Sequence, residues 1–430
     1  MYENLVSDEE FCSTHLNKMA LTQVVLSEKE QNGSCARKII EERAPMKKRT
    51  GFFICICLVF FSFVSYSFEK DHFFIGQEDG DGFLAIPRHV QEGPDGNIYV
   101  FDWGDFFIKV YSPEGRYLRR IGGRGQGPGE VQRADGANFG FTSDGKLYFT
   151  EFFRGHRWIT FMELSGEFIR VLSPEINESF GINDAVPLED GGFLVHFWFS
   201  SEPEMKKDYF LYKSPQSLLR IDSKGKIISE IIEKEYFTMI SSVGDGATST
   251  LPFIPVFEWI PFKDDTILFT DGMDKNFKVY DYQGNLIREI KTALPAPEKV
   301  KSRELNAWRQ RREEYMMERD PRWYSRFGKV IEKYKKSLYN KPNVSGISLT
   351  PEGNLIAAGP VHYGEVERDY WLLDENGKML TQMRLAGSGM RMCEHFVFFY
   401  SSDEDQNELV HCVKRKGSEK EDFLRIKEYR

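Results

Sequence analysis

The sequence predicts an all-β fold, a six-bladed β-propeller with a helical insertion between blades four and five. Three observations predict it. A unit of 45–50 residues recurs from about residue 70 to the end. Each unit carries two glycine turns at matching places. A segment of different composition, residues 295–341, interrupts the series once. Four strands in a unit of that length is the period of propeller blades.

The units are explicit. "GPDGNIYVFDWGDFFIKVYSPEGRYLRRIG" spans Gly93 to Gly122, and "TSDGKLYFTEFFRGHRWITFMELSGEFIRVL" spans Thr142 to Leu172. Further units begin at Glu189, Phe262 and Thr350. The first turn carries Gly96, Gly145, Gly191 and Gly353, with Asp265 in the fourth unit. The second carries Gly115, Gly166, Gly225, Gly284 and Gly377. Asp-Gly or Glu-Gly between alternating apolar runs favours tight hairpins, because Gly accepts positive φ. "NIYVFD" and "FIKVYS" alternate and are β-branched or aromatic, as strands prefer. An upstream strand such as "IPRHV" or "ANFGF" completes each set of four. Phe396–Tyr400, Glu408–Lys414 and Phe423–Tyr429 read as three last strands. Asp71–Gly76, "DHFFIG", is expected to pair with them and close the ring, removing the edges that invite aggregation.

Composition agrees. The 430 residues carry 41% hydrophobic and 14% aromatic side chains, enough for a core. A net charge of -9 argues against broad nucleic-acid coating. Residues 295–341 hold a net charge of +7 and the repeats about -16, so a basic cap faces an acidic ring. Val300–Arg319 reads as helix. Asp320-Pro321 starts a second one, whose Trp323, Phe327, Ile331, Tyr334 and Leu338 form an apolar stripe.

The first 67 residues read as an address. Met46-Lys47-Lys48-Arg49 precedes the apolar run Gly51–Ser67, which fits a signal peptide over residues 46–67 with cleavage after Ser67. Met46 is then the natural start and residues 1–45 an upstream segment. The alternative is an uncleaved anchor, the one membrane attachment expected. Either way residues 68–430 are exported, periplasmic or extracellular. Cys393 and Cys412 are the two cysteines beyond residue 67. They either pair in an oxidising compartment or stay as buried thiols.

The units resemble NHL-type repeats. The set is similar to exported bacterial six-bladed propeller proteins, most specifically through "IGGRGQGPGE", Ile121–Glu130, and through "DGNIYVFD" followed by "VYSPEG". The resemblance covers residues 68–430 and implies a fold. It implies little chemistry, because propellers host binding, scaffolding and catalysis alike.

Chemistry is sought on the loop face. "GGRGQGPGE" lacks the Gly-Lys-Ser/Thr of a phosphate loop and reads as a structural turn. Trp103, Arg154, His156, Trp158, His196, Trp198, His362 and Tyr363 form the candidate ligand surface, a mixture suited to carbohydrate, peptide or a cell-surface protein. His89 on a first strand is a candidate acid or base. The leading expectation is a monomeric binding or scaffolding module with no cofactor and no nucleic acid. The alternative is a metal-dependent lyase or hydrolase, with zinc on His156, His196 and His362 or calcium on Asp102, Glu151 and Asp271. Caps for the following loops are the commoner role for those carboxylates.

Overall fold

The computed structural model describes residues 71–429, apart from 78, 126, 128, 132–137, 151–157, 177–178, 200–202, 207–208, 243–247, 320–338, 361–366, 387 and 403–407. The upstream segment, the apolar run and the second helix of the insertion lie outside the described residues. Among those described, no helix is long and apolar enough to cross a membrane.

The strands form six antiparallel sheets, in chain order. Strand β1 (His72–Ile75) stands apart at the start. The first sheet is β2 (Pro87–Glu92), β3 (Ile98–Asp102), β4 (Phe107–Tyr111) and β5 (Tyr117–Gly122). The second is β6 (Asn138–Phe141), β7 (Leu147–Thr150), β8 (Ile159–Met162) and β9 (Phe168–Leu172). The third holds β10 (Ser179–Pro187), β11 (Phe193–Phe199), β13 (Tyr209–Ile221), β14 (Ile227–Ser242) and β15 (Thr248–Thr250), with β12 (Glu204–Met205) paired to β13. The fourth is β16 (Glu258–Phe262), β17 (Thr266–Thr270), β18 (Phe277–Asp281) and β19 (Leu286–Ile290). The fifth is β20 (Gly346–Leu349), β21 (Leu355–Ala358), β22 (Glu367–Leu373) and β23 (Met379–Ala386). In the last, β24 (Ser388–Met392), β25 (Phe396–Ser402) and β26 (Glu408–Lys414) are joined by β1.

Apolar side chains pack each sheet on the next. Tyr99, Phe101 and Ile108 of the first sheet meet Phe139, Leu147 and Phe149 of the second. Equivalent clusters join second to third, third to fourth, fourth to fifth and fifth to last. Val100 and Tyr111 then meet Phe398 and Val410, so the last sheet packs on the first. A series of sheets that closes on itself in this way is a β-propeller. As the sequence predicts, β1 pairs with β26, His72 opposite Val413 and Ile75 opposite Val410. A chain of polar contacts crosses the closure. The His72 and His411 rings meet at 3.1 Å, and His411 Nε2 lies 2.6 Å from Ser401 Oγ. Burial and the neighbouring His72 push His411 down to about 3.

The turn glycines do what their pattern implies. All nine have positive φ, and Asp265 takes the same conformation at 55°. The second-turn glycines also sit against the preceding sheet. At Gly377, φ is 83° and an added Cβ would lie 2.5 Å from the Lys291 carbonyl oxygen. Gly377→Ala is expected to cost about 1–2 kcal/mol from backbone conformation alone, and more from the clash. A melting temperature unchanged by the substitution would refute this.

One expectation changes, one open alternative is decided, and one feature is new. Phe423–Tyr429 is not a strand. Helix α2 (Glu419–Arg425) and a 3-10 turn (Ile426–Tyr429) bury Phe423 and Ile426 against the last sheet. Ser418 and Glu421 close a capping box there, which stops an extended strand from forming. The inner strand of the last sheet is instead β24. Cys393 and Cys412 are unpaired thiols packed in the cluster between last and first sheets. Finally, β13 and β14 run well past their sheet as a long hairpin. They extend because Leu211 and Ile240 find cover on helix α1 (Ser302–Arg319), through Leu305 and Trp308.

Residues 298 and 341 form an isolated antiparallel bridge, Lys341 N–H donating to the Glu298 carbonyl at 2.7 Å. The Lys341 ammonium reaches Glu304 at 2.7 Å, with both side chains buried. The Asn343 amide donates to the Pro295 carbonyl at 2.7 Å. The excursion that carries α1 is therefore pinned at its neck.

Candidate functional site

Of the candidate metal ligands, Asp102, Asp271 and His196 lie among the described residues, and each already has partners. Asp102 is fully buried and serves its own loop. One carboxylate oxygen accepts from the Ile86 and Gly104 amides at 2.8 and 2.9 Å. The other accepts from the Ala85 amide at 2.9 Å and from the Lys109 ammonium at 2.8 Å. Four donors leave it no role as a calcium ligand; it caps the loop. Asp271 likewise accepts from the Met273 amide at 2.9 Å.

His196 is not in a loop. It lies inside β11, 3% exposed, opposite Asp184 and Leu218. The Asn183 amide lies 3.1 Å from Nδ1 and the Gln216 carbonyl oxygen 3.0 Å from Nε2. The Asn183 NH₂ donates, so Nδ1 is the acceptor and Nε2 carries the proton. The ring also stacks on Phe257 at 4.3 Å. Burial pushes the imidazole down to about 4, against the pull of Gln216. Both nitrogens are engaged, so His196 offers no lone pair to zinc in this arrangement. Its strand "FLVHFWF" is buried from Phe193 to Phe197, and a histidine inside such a run packs the sheet.

Of the ligand surface, Trp103 is half-buried beside β3, with the Arg88 guanidinium 5.3 Å from its ring centre. Trp158 is 37% exposed. Trp198 belongs to β11, between Gly181 and Gln216. Arg154, His156, His362, Tyr363 and the alternative ligand Glu151 lie outside the described residues. Among the described residues no group of three His, Cys, Asp or Glu is placed to hold a metal ion.

Polar groups converge elsewhere, on the inner strands. Strands β2, β6 and β10 lie side by side, as do β16 with β20 and β2 with β24. Register places one residue of β2, β6, β10, β16 and β20 at a single level. Arg88 is opposite Phe101, Asn138 opposite Thr150, Asp184 opposite His196, Glu258 opposite Thr270, and Gly346 opposite Ala358. That level is the end of the channel nearest the loops that follow the second strands.

The contacts at this level are specific. The Asn138 amide donates to Asp184 Oδ1 at 2.6 Å. Burial pushes the Asp184 carboxyl up to about 6, although the Ala185 amide, Asn138 and Arg391 pull it down. Burial, then the Asp184 charge, pushes Glu258 up to about 7, against the Ile347 amide and Arg368. Both acids remain partly accessible to solvent through the channel. His89 sits at a bulge in β2 with φ of 33°, a strained conformation for a residue with a side chain. Its Nε2 lies 3.0 Å from the Arg391 guanidinium. Arginine only donates, so Nε2 accepts and the ring is neutral. Burial and the Arg391 charge hold His89 well below its ordinary value.

This level is therefore a mixed acid, base and guanidinium cluster. Sequence reasoning picked out His89 but missed Asp184, Glu258, Asn138 and Arg391. The available signal was register. Aligning the units on their first-turn glycines, or on Asp265, places Asn138, Asp184 and Glu258 where His89 stands, seven residues before the turn residue.

No protein-family model matches the chain, and no curated protein matches it. Solved structures of similar fold include a protein described as exported from Bacteroides fragilis, 12% identical, covering 80% of this chain and 95% of that one with a TM-score of 0.46. Virginiamycin B lyase from Staphylococcus aureus is 13% identical, with 80% and 98% covered and a TM-score of 0.39. A gluconolactonase from Xanthomonas campestris is 11% identical, with 77% and 87% covered and a TM-score of 0.42. The chain is similar to these proteins at the level of a distant propeller likeness, and no activity is carried over from them.

Proposed function

We propose that this chain is an exported six-bladed propeller of NHL-type repeats, with a helical insertion over residues 295–341, that binds a small polar ligand at the mouth of its axial channel. The observation that carries the proposal is the meeting of Asp184, Glu258 and Asn138 at one level of the inner strands, with the hydrogen-bonded pair His89 and Arg391 beside them. Ligand sites favour such a concave place with a few convergent polar groups. The ligand class is carbohydrate or peptide, and the tryptophans nearer the rim supply apolar cover for it. No cofactor is required by these residues.

A second reading is favoured by one further observation. Carboxyls held near 6 and 7, the charge of one acting on the other, leave one protonated and one ionised around neutrality. That is the condition for general acid and base work by one pair. On this reading the module is a hydrolase or lyase, with Glu258 as acid and Asp184 as base.

Calorimetric titration of saccharides and short peptides at pH 6.5 tests the site. The double substitution Asp184→Asn, Glu258→Gln is expected to weaken any ligand of the parent at least about tenfold, since it alters two polar contacts of about 1 kcal/mol each. A ligand bound equally well by both proteins would move the site off the axis. If a substrate is found, rate against pH should be bell-shaped with limbs near 6 and 7. A flat profile would leave binding as the whole function.

A further inference from the structure

We infer that the axial ligand carries a carboxylate beside hydroxyl groups, as a sugar acid does, and that Arg391 and Arg368 receive the carboxylate. This rests on the axial binding site proposed above and specifies its ligand.

The argument begins with charge. Arg391, half-buried on β24, has the neutral His89 ring as its hydrogen-bond partner. Among the described residues no carboxylate lies within ion-pair distance of it. Arg368, half-buried at the start of β22, likewise makes no ion pair among the described residues, and its enclosed Nε has no hydrogen-bond partner among them. The other enclosed cations behave differently. Lys109 holds Asp102 and Asp105, Lys341 holds Glu304, and Arg415 holds Glu352 and Asp422. Among the described residues, these cations have carboxylate partners, whereas Arg391 and Arg368 have none. Guanidinium groups recognise carboxylate through paired N–H bonds.

Both arginines belong to the same site as the acids. The Arg391 charge acts on Asp184 and the Arg368 charge on Glu258, each favouring the ionised form. Even so, neither reaches its acid at ion-pair distance, so each keeps donors for a ligand. The acids select what kind of anion enters. A phosphate brings nearly two charges beside Asp184 and Glu258, whereas a carboxylate brings one. Asn138 and the two carboxyls then offer donors and acceptors suited to adjacent hydroxyls.

His89 has a positioning part in this. Its strained bulge aims Nε2 at Arg391, which holds the guanidinium over the channel without neutralising it. A carboxylate in place of His89 would consume the charge.

The test compares D-glucuronate with D-glucose, the same ring with and without the carboxylate, by calorimetry at pH 6.5. The parent protein is expected to bind glucuronate at least tenfold more tightly than glucose. Arg391→Met and Arg368→Met should each erase that preference while leaving the melting temperature near that of the parent. Arg391→Lys, which keeps the charge, should retain part of it and guards against a loss caused by misfolding. Equal binding of the two sugars, a preference that survives both methionine variants, or no binding of glucuronate would overturn the inference. If a neutral ligand binds the parent and is lost only in the Asp184→Asn, Glu258→Gln variant, the axial site stands and the carboxylate assignment falls.

Discussion

Lys341→Ala is expected to lower the free energy of unfolding by about 3 kcal/mol or more, the usual cost of removing one partner of a buried ion pair. Lys341 and Glu304 are 5% and 8% exposed and meet at 2.7 Å. Without the ammonium, the Glu304 carboxylate stays buried, still accepting from the Lys301 amide at 2.7 Å, and loses the cation 2.7 Å away. Glu304→Ala should cost less, because Lys341 can turn to Glu298, 3.4 Å away. Replacing both by methionine should restore most of the loss, since a matched apolar pair avoids the desolvation of two charges. Chemical denaturation of the four proteins checks the cycle. A double variant as unstable as Lys341→Ala would show that the pair contributes more than it costs to bury.

The second large effect has the opposite sign. Glu258→Gln is expected to stabilise the protein by about 2–3 kcal/mol at pH 8 and by less than about 1 kcal/mol at pH 5. The folded carboxyl is raised from 4.5 to about 7. A raised carboxyl favours the folded state fully below its unfolded value, and that advantage is lost as pH rises through 7. Fully ionised, such a displacement corresponds to about 3 kcal/mol, part of which solvent in the channel screens. Glutamine cannot ionise and removes the penalty. His196 and His411, held near 4 and 3, weaken the fold in acid by the same linkage. They cancel when variant and parent are compared at equal pH. A difference in stability that does not change between pH 5 and pH 8 would contradict the assignment. A side chain that costs stability at working pH is one retained for a task.

Much of the fold was legible because its signals are local. Asp-Gly turns, alternating apolar strands and the recurrence of Gly115, Gly166, Gly225, Gly284 and Gly377 each follow from backbone conformation. The closing role of "DHFFIG" followed from its likeness to "YLRRIG". The C-terminal helix was legible too. Ser418 and Glu421 form a capping box, and Phe423, Ile426 and Tyr429 recur every third residue, a helical spacing that a strand reading overlooks. The long third hairpin was not legible, since its cover is Leu305 and Trp308, more than 60 residues away from Ile240. The site was read in the wrong place for a physical reason. Loops rich in Trp and His attract attention, whereas a single Asp or Glu on a strand looks like an exposed face. Asp184 and Glu258 gain meaning only when adjoining inner strands bring them to one level.

The closure of the ring has a consequence for how the molecule is made. Strand β1 meets β26 across a sequence separation of 339 residues at the His72–His411 contact. It is among the first strands of the propeller to be synthesised and has no sheet to join until almost the whole chain exists. Contacts that distant are slow to form, because the loop must close before the contact rewards it. In the interval both the edge of β1 and the apolar face of the first sheet await partners. Assembly is therefore a race between completion of the last sheet and capture of those edges by another chain, and the C-terminal fifty residues decide it.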